Sequence, residues 1–249
     1  MIRWFECGIA IAQRIIGTLG ITGLSGSRVH IDSPVWHLKY WGVSTVTSEM
    51  YWLITVEPKK EGNTVGSLTE RQKAIIIGCL FGDGTMRCKT NALLEINHSI
   101  KQRDYVEWKY NELKSLVSTQ PRKRFGNSGR IAYRFTTKSL PGLTEIYRKF
   151  YKNAKKIIPD NVQIHPLSLA VWFMDDGSKS YRALYLNTQK FNITEQQRLI
   201  LMLRQQFEIK ASLNKDKKYY RLRIAVSSVS RFMEIIKPYL LPMFCYKTP

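Results

Sequence analysis

Two Asp-Gly steps, Asp83-Gly84 and Asp176-Gly177, stand 93 residues apart, and each closes an apolar run, Ala74-Ile-Ile-Ile-Gly-Cys-Leu-Phe81 and Leu167-Ser-Leu-Ala-Val-Trp-Phe-Met174. Runs of this length bounded by capping residues read as helices buried on most sides. If the two helices pack side by side, both carboxylates arrive at one cleft. A helix C-terminus carries partial negative charge, which opposes an ionised Asp but favours a bound divalent cation. Hard oxygen donors with open water positions suit Mg²⁺. Two such ions can activate a water and stabilise the leaving oxygen in phosphodiester hydrolysis. A single Asp-Gly is ordinarily only a turn that ends a helix, so the weight rests on its repetition.

The surroundings repeat as well. Asp83 to His98 is 15 residues and Asp176 to Gln189 is 13; Asp83 to Lys156 is 73 and Asp176 to Lys247 is 71. Each lysine shortly precedes a proline, in Lys156-Ile-Ile-Pro159 and Lys247-Thr-Pro249. Self-similarity at this period predicts a pseudo-twofold molecule.

The elements that must position these residues follow from the pattern between them. The sequence predicts a helix opened by the capping box Ser67-Leu-Thr-Glu70, strands at 85–89 and 92–98, and a helix bearing Tyr105, Trp108, Leu113, Leu116 and Val117. A hairpin over 121–138 turns at Gly126-Asn-Ser-Gly129, and a third helix carries Leu140, Leu143, Ile146, Tyr147 and Phe150. The second unit repeats this order. It opens at His165-Pro166, with Pro166 suited to the first helical turn and Gly177 to the stop. Strands are expected near 181–187 and 211–226, with a helix bearing Leu199, Ile200, Leu203 and Phe207 between them. Asn214-Lys-Asp-Lys-Lys218 is expected at the hairpin tip, and the closing helix carries Phe232, Ile235, Ile236 and Tyr239. The expected fold class is therefore α+β: two pseudo-twofold-related αββαββα units, 68–164 and 165–249, with antiparallel sheets. Residues 1–67 hold four of the six tryptophans and no clear period; they read as an N-terminal extension of unassigned fold, with Glu57 to Ser67 as its linker.

Composition narrows the partner. The 249 residues carry a formal net charge of +20, and 33 basic against 14 acidic side chains fall after residue 67, compared with six against five before it. That imbalance points to a polyanion. The four cysteines show no metal-ligand spacing, which excludes a zinc finger and suggests free thiols in a reducing compartment. Glu6 and Arg14 interrupt the best candidate for a membrane span. No secretory signal is read; Arg3, Arg14 and Arg28 leave a sparse transit peptide open, against Glu6. The expected location is an organelle (mitochondrion or chloroplast) or a bacterial cytoplasm.

Ile76-Ile-Gly-Cys-Leu-Phe-Gly-Asp-Gly84 and Leu169-Ala-Val-Trp-Phe-Met-Asp-Asp-Gly177 resemble the nine-residue motif of LAGLIDADG homing endonucleases. The single-chain, two-motif branch encoded in mobile introns, the I-SceI type, is the nearer match, through Leu186-Asn-Thr-Gln189, Ile236-Lys-Pro-Tyr-Leu-Leu-Pro242 and Tyr246-Lys-Thr-Pro249. The resemblance implies that Asp83 and Asp176 bind the divalent metals, Mg²⁺ with Mn²⁺ as a substitute, assisted by the main-chain carbonyls of Gly82 and Asp175. It also carries Lys156 and Lys247 into the active site, to polarise the attacking water or stabilise charge on the phosphate; plain contact with the DNA backbone is the alternative. Gln189 falls where the family often has a glutamine that orients water. The first-half counterpart is His98, a candidate general base or water ligand or else a structural residue, with Asn97 as the other candidate. The motif helices are asymmetric, with Gly78 and Gly82 in one against Val171 and Asp175 in the other.

The predicted hairpins hold the charge. Arg122, Lys123, Arg124, Arg130, Arg134 and Lys138 face no acid between residues 120 and 138; Lys210, Lys215, Lys217, Lys218, Arg221 and Arg223 face only Asp216. Arg87, Lys89, Lys179, Arg182 and Lys190 extend that surface. A two-stranded ribbon fits the major groove, although any single cation here could equally be a phosphate contact. The expected function is a monomeric, Mg²⁺-dependent, site-specific endonuclease that makes a staggered cut in double-stranded DNA with a long, nearly asymmetric target and so promotes intron mobility. The rivals are an RNA maturase acting on its own intron RNA, or a noncatalytic DNA-binding regulator. A membrane-surface role is distant, because the cations lie on predicted strands.

Overall fold

The computed structural model describes residues 67–126 and 129–249, together with the backbone of three short strands nearer the N-terminus. The chain divides into two compact units, Met1–Asn63 and Thr64–Pro249. In the first, strands β1 (His30–Asp32), β2 (Trp36–Tyr40) and β3 (Ile54–Pro58) form an antiparallel sheet in that order. Glu57 and Pro58 thus belong to a strand, where the sequence suggested the start of a linker. Cys7 lies outside the described residues.

The second unit follows the αββαββα order twice. Its first half comprises α1 (Glu70–Phe81), β4 (Thr85–Cys88), β5 (Ala92–Ser99), α2 (Arg103–Glu112), β6 (Arg122–Phe125), β7 (Ile131–Thr136) and α3 (Pro141–Phe150). A two-strand hairpin, β8 (Tyr151–Lys152) and β9 (Lys155–Lys156), follows. The second half comprises α4 (Pro166–Asp176), β10 (Gly177–Ser180), β11 (Ala183–Leu186), α5 (Ile193–Phe207), β12 (Ala211–Asp216), β13 (Tyr219–Ile224) and α6 (Val226–Ile236). The two four-stranded antiparallel sheets have equivalent orders, β4-β5-β7-β6 and β10-β11-β13-β12.

Helices α1 and α4 pack against each other at the centre. Both are apolar nearly all round, which is the pattern of a helix covered on every side. Ile75, Ile76, Leu80 and Phe81 on α1 and Leu169, Ala170, Val171, Trp172 and Phe173 on α4 are wholly buried. Phe81 meets Trp172 across the interface with ring centroids 5.0 Å apart, and Ser168 Oγ donates to the Ala74 carbonyl at 2.7 Å. The asymmetry of the two motifs resolves into a fit: a Cβ built on Gly78 would lie 2.7 Å from Val171 Cβ, and one on Gly82 would lie 2.4 Å from Asp175 Cβ. Each glycine of the first motif makes room for the larger residue at the same place in the second.

Several local expectations shift. The capping box is Thr69 with Gln72, not Ser67 with Glu70: the Gln72 amide donates to Thr69 Oγ1 at 3.2 Å, and the Thr69 amide donates to Gln72 Oε1 at 3.1 Å. Gly177 caps α4 at φ −76° and passes directly into β10, so the hairpin begins earlier than 181–187 and Tyr181, at φ 53°, occupies its turn. Asn214 and Lys215 lie within β12, and the second tip is Lys217-Lys218, with Lys217 left-handed at φ 55°. The first tip is closed by the Gly126 amide donating to the Arg130 carbonyl at 2.8 Å; Asn127 and Ser128 lie outside the described residues.

Candidate active site

The packing of α1 on α4 brings the two Asp-Gly ends together. Asp83 keeps 47% of its side chain exposed, whereas Asp176 keeps 16%. Burial, reinforced by the nearby Asp83 and opposed by Lys190, pushes the Asp176 carboxyl up to about 6. Two carboxylates at converging helix C-termini form a site of negative potential that a cation would relieve.

Each lysine reaches the carbonyl that precedes the aspartate of its own half. Lys156 Nζ donates to Gly82 O at 3.2 Å and to Gly84 O. Lys247 Nζ donates to Met174 O at 2.7 Å and to Asp175 O at 3.4 Å. Different devices deliver them. Lys156 sits on β9, behind a turn whose central residues Asn153 and Ala154 are both left-handed, at φ 51° and 59°, the backbone signature of a tight hairpin. Lys247 ends a 3-10 segment, Pro242–Lys247. Burial, with Lys190 beside it, lowers the Lys156 ammonium to about 8, and burial likewise lowers that of Lys247.

Lys190 stands apart from the surface expected of it. Its ammonium donates to Gly82 O at 2.6 Å and to Asp176 Oδ2 at 2.9 Å, which puts it in the cleft with the carboxylates rather than on a sheet face. Gln189 turns away from both aspartates: its amide donates to Asp216 Oδ2 at 2.9 Å. The pairing partner is remote in sequence, so motif position alone did not reveal it.

Behind Asp83 lies a buried polar cluster. The side chain of Asp175 is wholly enclosed; its Oδ1 accepts from Tyr105 Oη and from Lys109 Nζ, both at 2.7 Å, and its Oδ2 from the Asp83 amide at 3.3 Å. Burial alone would raise the Asp175 carboxyl, yet Lys109 and the hydrogen bonds hold it below its usual range. His98 lies on the core face of β5, with Nε2 3.1 Å from Lys109 Nζ and Nδ1 3.7 Å from Asp83 Oδ2, while Asn97 points to the open face. Burial, then the adjacent Lys109, lowers the imidazole to about 4. Lys109, and the hydrogen-bonding role of Tyr105, were missed in the sequence, although a signal was present: Lys109 sits on the apolar stripe of α2, four residues from Tyr105 and four from Leu113, where a charge has no solvent.

The sheets carry the remaining candidates. Arg122, Lys123 and Arg124 are exposed along β6, with Arg130 and Lys138 exposed beyond its partner strand. Lys89, Lys179, Arg182, Lys210, Lys215, Lys217 and Lys218 are exposed too, and Arg223 is half-buried. Lys179 Nζ donates to Thr248 O at 2.5 Å. Arg87 and Arg134 share Glu95, at 2.8 and 3.5 Å, and Arg221 lies over the Tyr185 ring at 4.2 Å, so these three are internally engaged. A cleft of about 700 Å³ runs beside Asp83, lined by Glu95, Asn97, His98, Gln102, Arg124 and Arg130 among others. Among the described residues no helix is long and apolar enough to cross a membrane, and Cys79, Cys88 and Cys245 are free thiols.

Known proteins resemble this chain. The model of the LAGLIDADG DNA endonuclease family matches residues 73–232, which include both Asp-Gly helix ends. Cytochrome b mRNA maturase bI2 of Debaryomyces hansenii is 32% identical over 130 residues, half of this chain and half of that protein. Probable intron-encoded endonuclease 1 of Wickerhamomyces canadensis is 29% identical over 204 residues, 76% of this chain and 87% of the relative. The solved structure of the homing endonuclease I-WcaI bound to its DNA recognition sequence matches with a TM-score of 0.68 at 27% identity, covering 74% of this chain and 88% of that one. The chain spans about half the length of the maturases it matches. On the strength of a family match that runs through both motif helices and the sheets they carry, this chain belongs to the LAGLIDADG DNA endonuclease family.

Proposed function

We propose that the chain is a site-specific endonuclease that hydrolyses one phosphodiester in each strand of double-stranded DNA, acting as a monomer in an organelle or a bacterial cytoplasm. The observation that carries this reading is the convergence of Asp83 and Asp176 at the ends of two packed helices, each with a main-chain carbonyl and a lysine in matching places. A duplicated site suits a duplicated substrate, two antiparallel strands related by an approximate twofold axis. The unequal basic surfaces of the halves suit a long, nearly asymmetric target.

The donor set fits a hard divalent cation. Asp83, Asp176 and the carbonyls of Gly82 and Asp175 are all oxygen donors, and Lys190 already places a positive charge between Gly82 O and Asp176 Oδ2. Mg²⁺, with Mn²⁺ as substitute, would be held by these four residues. When bound, such ions supply water activation and stabilisation of the leaving oxygen. The chain's own groups do the rest. Lys156 and Lys247 hold positive charge beside the scissile phosphates. Lys123, Arg124 and Lys217 engage the backbone electrostatically, and exposed cations on the ribbons can reach base edges in the major groove.

A second reading, assistance to splicing of an intron RNA, is favoured by one observation: two of the similar proteins are cytochrome b mRNA maturases. The experiment that separates them is digestion of a plasmid carrying the uninterrupted insertion site, with Mg²⁺, with EDTA, and with Asp83→Asn and Asp176→Asn. The expected result is one metal-dependent double-strand cut, reduced by roughly 10²-fold or more in either variant while binding persists. Tight binding without a cut in any metal would overturn the nuclease reading in favour of the maturase or the regulator.

A further inference from the structure

We propose that Lys109 is a positioning residue that fixes the tautomer of His98, so that the imidazole presents an N–H donor, and not a basic nitrogen, toward Asp83. The inference rests on reading Asp83 as an active-site carboxylate. Lys109 is wholly buried, and its ammonium has donors only. Its neighbours are Asp175 Oδ1 at 2.7 Å, His98 Nε2 at 3.1 Å, the Tyr105 ring, whose centroid lies 4.2 Å away, and the buried Cys79 thiol. A nitrogen that faces an ammonium at 3.1 Å must accept. A proton on Nε2 would set N–H against N–H, and Asp175 Oδ1, 3.9 Å from Nε2, is already taken by Lys109 and Tyr105, while Gln102 offers the ring a further hydrogen-bond partner. The single proton of the neutral ring therefore resides on Nδ1.

Nδ1 lies 3.7 Å from Asp83 Oδ2, at the mouth of the cleft, where a small rotation of the exposed Asp83 side chain closes a hydrogen bond. Carboxylates that hold metals are oriented by such outer partners. His98 thus steadies Asp83 and is not free to act as a general base. The device belongs to one half alone: Gln189, which stands where His98 does, donates to Asp216, and Gly82, which stands where Asp175 does, has no carboxylate to anchor a lysine. The Asp83 half-site depends on Lys109, whereas the Asp176 half-site is met by Lys190.

The test uses the full chain with ¹⁵N-labelled histidine and long-range ¹H–¹⁵N spectra at neutral pH without metal, His98 being assigned by its loss in His98→Gln. The expected spectrum shows a protonated Nδ1 and an unprotonated Nε2. An Nε2–H or doubly protonated ring overturns the proposal, and this arm decides it even where Lys109→Met does not fold. In a folded Lys109→Met, the His98 signals are expected to move toward a tautomer mixture; unchanged signals overturn the role of the lysine. Strand-resolved cleavage then reads the consequence: Lys109→Met slows one strand by roughly 10- to 100-fold, so that nicked plasmid accumulates, and equal slowing of both strands overturns it. Failure of the unmutated protein to cut either strand sinks the nuclease reading and, with it, the role toward Asp83, while the spectra still decide the tautomer.

Discussion

The two half-sites occupy equivalent places on equivalent scaffolds, yet their electrostatics differ. Asp83 is half-exposed and backed by a buried chain of His98, Lys109, Tyr105 and Asp175; Asp176 is mostly enclosed and paired directly with Lys190 at 2.9 Å. Even the matched lysines come from unlike elements, a tight hairpin for Lys156 and a 3-10 segment for Lys247. The comparison teaches that duplication preserves the backbone frame, because sheet order and helix packing tolerate little change. The charges around each carboxylate are free to diverge provided each stays compensated.

The largest effect should come from breaking the buried cluster on the Asp83 side. Lys109→Met leaves Asp175 buried and unpaired, a loss of about 3–5 kcal/mol, which for a protein of this size lowers Tm by roughly 10 °C. Thermal denaturation of Lys109→Met and of Lys109→Met/Asp175→Asn checks it, because removing both charges should recover much of the loss. Next comes the helix interface, where Gly82→Ala forces a methyl to within 2.4 Å of Asp175 Cβ and should cost about 1–3 kcal/mol in urea unfolding.

Asp176 is expected to show the opposite sign. Burial raises its folded carboxyl to about 6, above the usual 3.8, so the folded state holds an extra proton between those values and stability falls as pH rises through that window. Asp176→Asn should therefore gain on the order of 1–2 kcal/mol at pH 7 in EDTA, with the gain fading toward pH 4. Tm against pH for Asp176→Asn and the unmutated chain checks this. Smallest is the surface: Lys123→Ala or Lys217→Ala should each lower the slope of log affinity against log salt by about 1, whereas Arg87→Ala, already engaged with Glu95, should lower it less. Binding titrations at several salt concentrations decide this.

The frame was legible because it is written in local signals. Apolar runs ending in Asp-Gly, alternation along β5 and tip residues such as Gly126 carry their own geometry, and repetition at 93 residues supplied the symmetry. What was not legible depends on direction and on distant partners. Lys190 and Gln189 are adjacent in sequence but diverge, one to Gly82 and Asp176, the other to Asp216, and only the packed β12 strand explains the second. The capping box slipped by two residues because Ser67-x-x-Glu70 and Thr69-x-x-Gln72 overlap and both satisfy the pattern. Lys109 is one of many cations in the sequence, and only the closed helix face of the folded chain singles it out.

The fit of Gly78 to Val171 and of Gly82 to Asp175 also decides which halves can live together. Two copies of the second half would crowd valine on valine and drive two Asp175 side chains into one space, and two copies of the first would forgo the contacts that Val171 and Asp175 make with Gly78 and Gly82. The motif helices act as a mated pair, each shaped to the other, so a change of size on one side of the axis has to be answered on the other.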